Sequence, residues 1–229
     1  MTNATANPGQ GAPASGHAKL ETNSILLLIA ILVAISFGGL VEIAPLFYLQ
    51  STVEKVKGVR PYTPLELAGR NIYVREGCYN CHSQMVRPLP AEVLRYGNVS
   101  KPEDSVYDHP FQWGSKRSGP DLAREGIGNN KKSNSWHYNH FDDPEAISTG
   151  SIMPSYPFLF EHEVDRGSTV SKIHAMRKLG VPYPANYEAQ AVADMDQQAQ
   201  KIADNLKESK IEIPKEREII ALISYLQRL

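Results

Sequence analysis

Two cysteines occur in the 229-residue chain, and both fall in the run Cys78-Tyr79-Asn80-Cys81-His82. Two thiols three positions apart, followed at once by an imidazole, suit three chemistries: covalent attachment of a haem, a redox-active dithiol, or half of a zinc site. In the first, the thiols of Cys78 and Cys81 add across the two vinyl groups of a haem, and His82 reaches the iron from the proximal side. On a helical turn the two cysteines share a face, while His82 follows and can point at a metal. A dithiol of the thioredoxin kind belongs after a strand in a βαβ unit, and the surrounding sequence shows none. A zinc site needs a second ligand pair with its own short spacing. His137 and His140 stand three apart, yet that pairing leaves the adjacency of His82 unexplained. The haem reading accounts for all three residues, and one motif predicts one haem c.

A closed, electron-transferring iron needs a sixth ligand. Met85, Met153, Met176 and Met195 all follow the motif. Met85 is too near His82, because the chain would have to pass around the porphyrin edge within three residues. Met153, in Gly150-Ser151-Ile152-Met153-Pro154, lies 71 residues beyond His82, far enough for a loop to bring the thioether back across the haem. It is the expected distal ligand. Met176 and Met195 fall in helical stretches, where methionine ordinarily fills a core. His109, His137 and His140 are the alternatives; bis-histidine ligation would give a lower potential. Each lies among polar residues and reads as a solvated loop histidine. With His82 and Met153 bound, no position remains for oxygen or substrate, and no residue is predicted to be catalytic.

These ligands need elements to hold them. Residues 1–23 are rich in Ala, Asn, Gly, Thr and Pro and read as a disordered tail. From Ile25 the chain runs without charge to Val41 and, after Glu42, continues apolar to Leu49. As a helix these 25 residues span about 37 Å, enough to cross a hydrocarbon core of about 30 Å. The apolar run is longer than a signal-peptide core, with no basic segment before it and no small-residue cleavage pattern after it. A transmembrane helix over 24–49 is predicted, with Gly38-Gly39 suited to packing on another helix, Glu42 either finding a partner there or snorkelling to the interface, and Pro45 bending it. Residues 50–63 read as a linker. Thr63-Pro64-Leu65-Glu66 has the form of a helix start, with Ala68 and Ile72 on one face. Residues 84–163 read as loops with short helices. A polar helix is predicted through Ala189, Val192, Ala199, Ile202 and Leu206. A last one opens at Pro214 with Ile219, Ile220, Ile223 and Leu226 on one face, and packs on the helix from Pro64. The fold class is mainly α: one N-terminal transmembrane helix and, over 64–229, a monohaem cytochrome c domain with long loops.

The 24 basic and 25 acidic residues leave a net charge of −1, which gives no signal for nucleic acid. Lys19 before the span and Lys55, Lys57 and Arg60 after it favour a cytoplasmic C-terminus by the positive-inside rule. Covalent haem attachment takes place outside the cytoplasm and argues the opposite. We weight the haem argument: the N-terminus is expected in the cytoplasm and the haem domain in the periplasm of a bacterium, anchored in the inner membrane.

The segment Gly119-Pro120-Asp121-Leu122 resembles the Gly-Pro-x-Leu loop of class I cytochromes c, in which the proline carbonyl accepts from the proximal histidine; Pro120 is the implied partner of His82. The run Tyr107-Asp108-His109-Pro110-Phe111-Gln112-Trp113-Gly114-Ser115-Lys116-Arg117-Ser118-Gly119-Pro120-Asp121-Leu122, with Gly77 to Met85 before it and Ser151-Ile152-Met153-Pro154 after it, resembles the monohaem cytochrome c subunit (subunit II, FixO or CcoO) of cbb3-type cytochrome c oxidases. The likeness extends through Val41-Glu42-Ile43 to Tyr225-Leu226-Gln227-Arg228-Leu229, with Ser118 where threonine is expected. It implies a class I cytochrome c domain in complex with a haem–copper catalytic subunit and a dihaem cytochrome c subunit. Electrons would pass from the dihaem subunit through this haem to haem b and the oxygen-reducing centre. The alternatives are a free-standing membrane-anchored electron shuttle, which a long flexible linker would mark, and a haem-based sensor or peroxidase, which needs an open sixth position.

Overall fold

The computed structural model describes residues 16–47 and 58–229. The chain divides into an N-terminal unit ending at Glu54 and a C-terminal unit from Lys55 onward. In the first unit α1 covers Gly16–Thr22 and α2 covers Ser24–Ile43. The side chain of Asn23 caps α2 by accepting from the Leu26 amide at 3.1 Å. α2 passes into a 3₁₀ turn, Ala44–Phe47, so the helix changes type around Pro45, whose ring nitrogen has no proton to donate. Among the described residues Ser24–Phe47 is the one helix long and apolar enough to cross a membrane. None of its α-helical residues is buried by the chain itself. A Cβ added at Gly38 or Gly39 would meet nothing within 4 Å, and Glu42 is exposed.

α1 corrects part of the expected tail. Its last turn is closed by the Thr22 hydroxyl donating to the Ala18 carbonyl at 2.6 Å. None of its residues is buried, so it leaves no apolar periodicity for a sequence reading to detect. The rest of that tail, residues 48–49 of the predicted span and residues 50–57 of the predicted linker lie outside the described residues.

The C-terminal unit holds α3 (Pro64–Arg75), α4 (Pro90–Tyr96), α5 (Asn134–Asp142), α6 (Pro144–Ile147), α7 (Phe158–Glu161), α8 (Thr169–Lys178), α9 (Ala191–Glu208) and α10 (Glu218–Leu226). No strand forms among the described residues beyond an isolated bridge between Glu163 and Arg217. α3 starts as predicted: Thr63 accepts from the Glu66 amide at 3.3 Å, and the Glu66 carboxylate accepts from the Thr63 amide at 2.8 Å. The guanidinium of Arg60 forks onto the same carboxylate at 2.7 and 2.6 Å, and the Tyr62 ring packs 5.8 Å from that of Tyr225. Residues 60–63 therefore belong to the domain and not to a linker. A buried carboxylate needed a cation, and Tyr62 found apolar surface to cover.

α3 and α10 form the centre. A Cβ on Gly69 would lie 1.9 Å from the Ala221 carbonyl oxygen, so the two backbones touch and only glycine fits at the crossing. Leu65, Ile72, Ile219, Ile220 and Ile223 close around it with almost no exposure. Each such side chain contributes about 1.5–3 kcal/mol by leaving water. Arg75 joins the end of α3 to the start of α10 through Glu218, at 2.7 and 2.5 Å. α10 begins at Glu218 and not at Pro214, because Pro214 opens a turn, closed by the Arg217 amide on its carbonyl at 3.2 Å, and Arg217 is then held extended in a bridge to Glu163: the Val164 amide donates to Glu216 O at 2.8 Å and the Glu218 amide to His162 O at 3.0 Å. Met176 and Met195 are buried, as a core-filling role requires.

Candidate haem-binding site

After α3 the chain turns at Gly77, which takes a left-handed φ of +67°, into a 3₁₀ turn over Cys78–Asn80. The Cys81 and His82 amides both donate to the Cys78 carbonyl, at 3.1 and 2.9 Å. Cys78 is half-buried against the core, whereas Cys81 is exposed, and both thiols are free. Burial pushes the Cys78 thiol up to about 12, against a hydrogen bond to its own backbone, and the neighbouring charges on Glu76 and Cys81 add to the rise. A redox or metal-binding cysteine works as a thiolate and is normally stabilised by nearby positive charge; Cys78 sits in the opposite environment. Among the described residues no three His, Cys, Asp or Glu side chains gather as a metal site.

The imidazole of His82 has one firm partner. Its Nδ1 lies 2.9 Å from the Pro120 carbonyl. A proline carbonyl can only accept, so Nδ1 carries the proton and the lone pair is left on Nε2. Burial lowers the pKa of His82, against the Pro120 hydrogen bond and the charge of Asp121, and so favours the neutral ring a metal needs. The ring abuts Gly119, where an added Cβ would come within 2.3 Å of His82 Cε1. The two segments are laced together: the Gly119 amide donates to Cys81 O at 2.9 Å, and the Leu122 amide to Ser83 O at 2.8 Å. Asp121, almost fully buried, accepts from Ser83 Oγ at 2.7 Å, from the Met85 amide at 2.8 Å and from the Ala123 amide at 2.9 Å.

The long loop between these segments is fixed from α3. The buried Arg70 pairs with the buried Asp108 and also donates to the Pro110 carbonyl. Farther on, Phe111 stacks on Trp113 with centroids 5.0 Å apart, and the Gln84 amide donates to Trp113 O at 2.7 Å.

α5 overturns one expectation. His137 is 2% exposed, not a solvated loop residue, and burial drives its pKa down to about 4. Its Nε2 and the Nδ1 of His140 are buried without a hydrogen-bond partner among the described residues. Ser133 caps α5 by accepting from the Trp136 amide at 3.0 Å, and His137 and Phe141, one turn apart, share its buried face. That i, i+4 pair was the available signal, hidden by the polar residues between. The His140 ring stacks on Trp136 with centroids 4.6 Å apart; burial, and then the charge of His82, lower its pKa. His109 is partly exposed.

Met153 is half-buried and packs against the same apolar cluster as Cys78 and Leu122. Three residues on, Tyr156 belongs to that packing too; burial, and then Cys78 and Cys81, raise its phenol. Its amide donates to Phe141 O at 2.9 Å. Thus the structure joins His82 to Pro120 directly and sets Cys78 and Met153 against one cluster. Two thiols, a neutral imidazole with a free Nε2, apolar walls and two unpartnered buried ring nitrogens are a donor set that fits a haem.

A family model described as cytochrome c oxidase, mono-heme subunit/FixO, matches residues 17–229. The chain belongs to this family. It is accordingly a mono-haem subunit of a cytochrome c oxidase, and the single C-x-x-C-H motif agrees with one haem. No curated protein is a significant match. In a membrane-associated oxidase subunit the apolar helix Ser24–Phe47 is the candidate membrane span.

Proposed function

We propose that this FixO-family subunit passes electrons within a cbb3-type oxidase, from a dihaem cytochrome c subunit to the haem–copper catalytic subunit. Cys78 and Cys81 would hold the haem by thioether bonds, and His82 Nε2 and Met153 would be the residues that bind its iron. The observation that carries the reading is the 2.9 Å contact of His82 Nδ1 with Pro120 O, directly after two free cysteines at haem spacing. When bound, the haem supplies a one-electron iron couple. The chain does the rest. Pro120 fixes the tautomer and plane of His82, which directs Nε2 to one place. With Met153 as the second protein ligand no position would remain for oxygen, so oxygen reduction would belong to the catalytic subunit and not to this chain. α2 anchors the subunit in the bacterial inner membrane, N-terminus in the cytoplasm and haem domain in the periplasm. Its uncovered Gly38-Gly39 face and Glu42 meet a helix of the catalytic subunit.

Affinity isolation of the tagged full chain from membranes in mild detergent tests the assignment. Co-purification of haem b, copper and oxygen-reducing activity with haem c is expected. Haem c alone, under conditions that preserve other membrane complexes, would instead identify a free-standing electron shuttle.

A further inference from the structure

The hydrogen bond between His82 and Pro120 spans two loops, and one side chain reaches both. Arg117 stands three residues before Pro120. Its Nε donates to Ser83 Oγ at 2.6 Å, on the residue that follows His82. Its Nη2 donates to the Met85 carbonyl at 2.7 Å and to Asp121 Oδ2 at 3.3 Å, on the residue that follows Pro120. Its Nη1 pairs with Glu92 of α4, whose carboxylate also accepts from the Arg87 amide at 2.8 Å. The Arg117 side chain is 17% exposed and that of Asp121 not at all. Ser83 closes the ring, accepting from Arg117 and donating to Asp121 at 2.7 Å. These bonds leave 81–85 and 117–121 little freedom to slide past each other.

Resting on the ligand assignment proposed above, we infer that Arg117 is a positioning residue for the proximal ligand: it clamps the two loops so that Pro120 O stays on His82 Nδ1, and thereby sets the reduction potential of the haem. A hydrogen bond from Nδ1 makes the imidazole a better electron donor, which favours the oxidised iron. Loosening the clamp raises the potential. Simple loss of a positive charge near the iron acts in the opposite direction, because a cation disfavours the oxidised state. The sign of the shift therefore separates geometry from charge. Lysine keeps the charge but cannot reproduce a planar fork on several acceptors.

The test uses the full-length haem-loaded protein and its Arg117→Lys, Arg117→Gln and Ser83→Ala variants, with spectroelectrochemical titration and proton NMR of the reduced state. Arg117→Lys is expected to keep its haem and low-spin spectrum, to exchange the His82 Nδ1 proton faster, and to favour reduced iron about tenfold more, equal to about 59 mV for a one-electron couple. Ser83→Ala shifts the same way by less, and decides the matter if the Arg117 variants do not fold. Wild-type potential and exchange in Arg117→Lys, whether or not its melting temperature falls, overturns the inference. So does a lowered potential confined to Arg117→Gln, which assigns Arg117 a charge effect alone. A wild-type protein without low-spin haem on His82 refutes the ligand assignment itself, a separate failure.

Discussion

The two segments that carry the proposed axial ligands are held in different ways. Around His82 the chain is tied across sequence: Gly119 to Cys81, Leu122 to Ser83, Asp121 to Ser83 and Met85, and Pro120 to the imidazole itself. Around Met153 the bonds are local up to the Tyr156 amide, which reaches Phe141 O. The Ser151 amide donates to Ser148 O at 2.9 Å and the Met153 amide to Ser151 Oγ at 3.2 Å, while Ile152 beside it is 82% exposed. The polypeptide thus builds His82, the proposed proximal ligand, into a polar frame, whereas Met153 sits on a loop whose main anchor is apolar packing. A frame fixes ligand geometry before the cofactor arrives; a loop leaves the bond to iron to complete the order.

The largest expected effects come from removing the ligands themselves. In His82→Ala the low-spin haem spectrum should disappear, because no other imidazole occupies that frame. Met153→Ala should retain covalent haem and proximal ligation but lower the potential, by a sizeable part of the roughly 0.8 V over which axial ligands tune haem. Haem staining after denaturing electrophoresis, optical spectra and redox titration read these outcomes. An unchanged spectrum and potential in Met153→Ala would show that another residue is the distal ligand and that the loop plays no part.

The two sides also differ in acid. On the His82 side, the side-chain hydrogen bond from Arg117 holds Glu92 below its usual 4.5; its contribution is present above that value and is lost only as pH falls below it. On the α5 side the folded pKa of His137 is about 4 against 6.5 unfolded. The unfolded chain takes up a proton through that window while the folded chain does not. Stability from His137 is therefore complete above pH 6.5 and is lost as pH falls toward 4, by about 3 kcal/mol at 1.36 kcal/mol per pH unit. Chemical denaturation of the wild type should show this slope between pH 6.5 and 4. His137→Gln should flatten it, and a slope identical in both proteins removes α5 as the acid-labile element.

How far this was legible from residues alone varies with the kind of contact. The capping box at Thr63 and the burial of Ala68, Ile72 and Ile219 follow from spacing, because caps and helical faces are local patterns. The proposed site was legible where its residues are contiguous, at Cys78, Cys81 and His82. Pro120 came from resemblance, and the structure places its carbonyl on the predicted ring nitrogen. What stayed hidden joins residues far apart: Arg70 with Asp108, and Arg117 with Ser83 and Glu92. A charge in a loop carries no local mark of whether it faces water or a buried partner. His137 was misread for the same reason, its polar neighbours on α5 masking an inward face.

The smallest and sharpest test changes one hydrogen to one methyl on each side. At Gly119 the added carbon would sit 2.3 Å from His82 Cε1, so Gly119→Ala must push the imidazole away from Pro120, at a cost of about 1–3 kcal/mol. At Gly150 nothing lies within 4 Å, and the only penalty is the left-handed φ of +79°, about 1–2 kcal/mol. Thermal unfolding of the two haem-loaded variants could give similar losses, so the redox potential decides: Gly119→Ala should shift it and Gly150→Ala should leave it in place. A shift in Gly150→Ala alone reverses the comparison, because it would mean that the backbone of the Met153 loop, and not the frame around His82, governs the geometry at the iron.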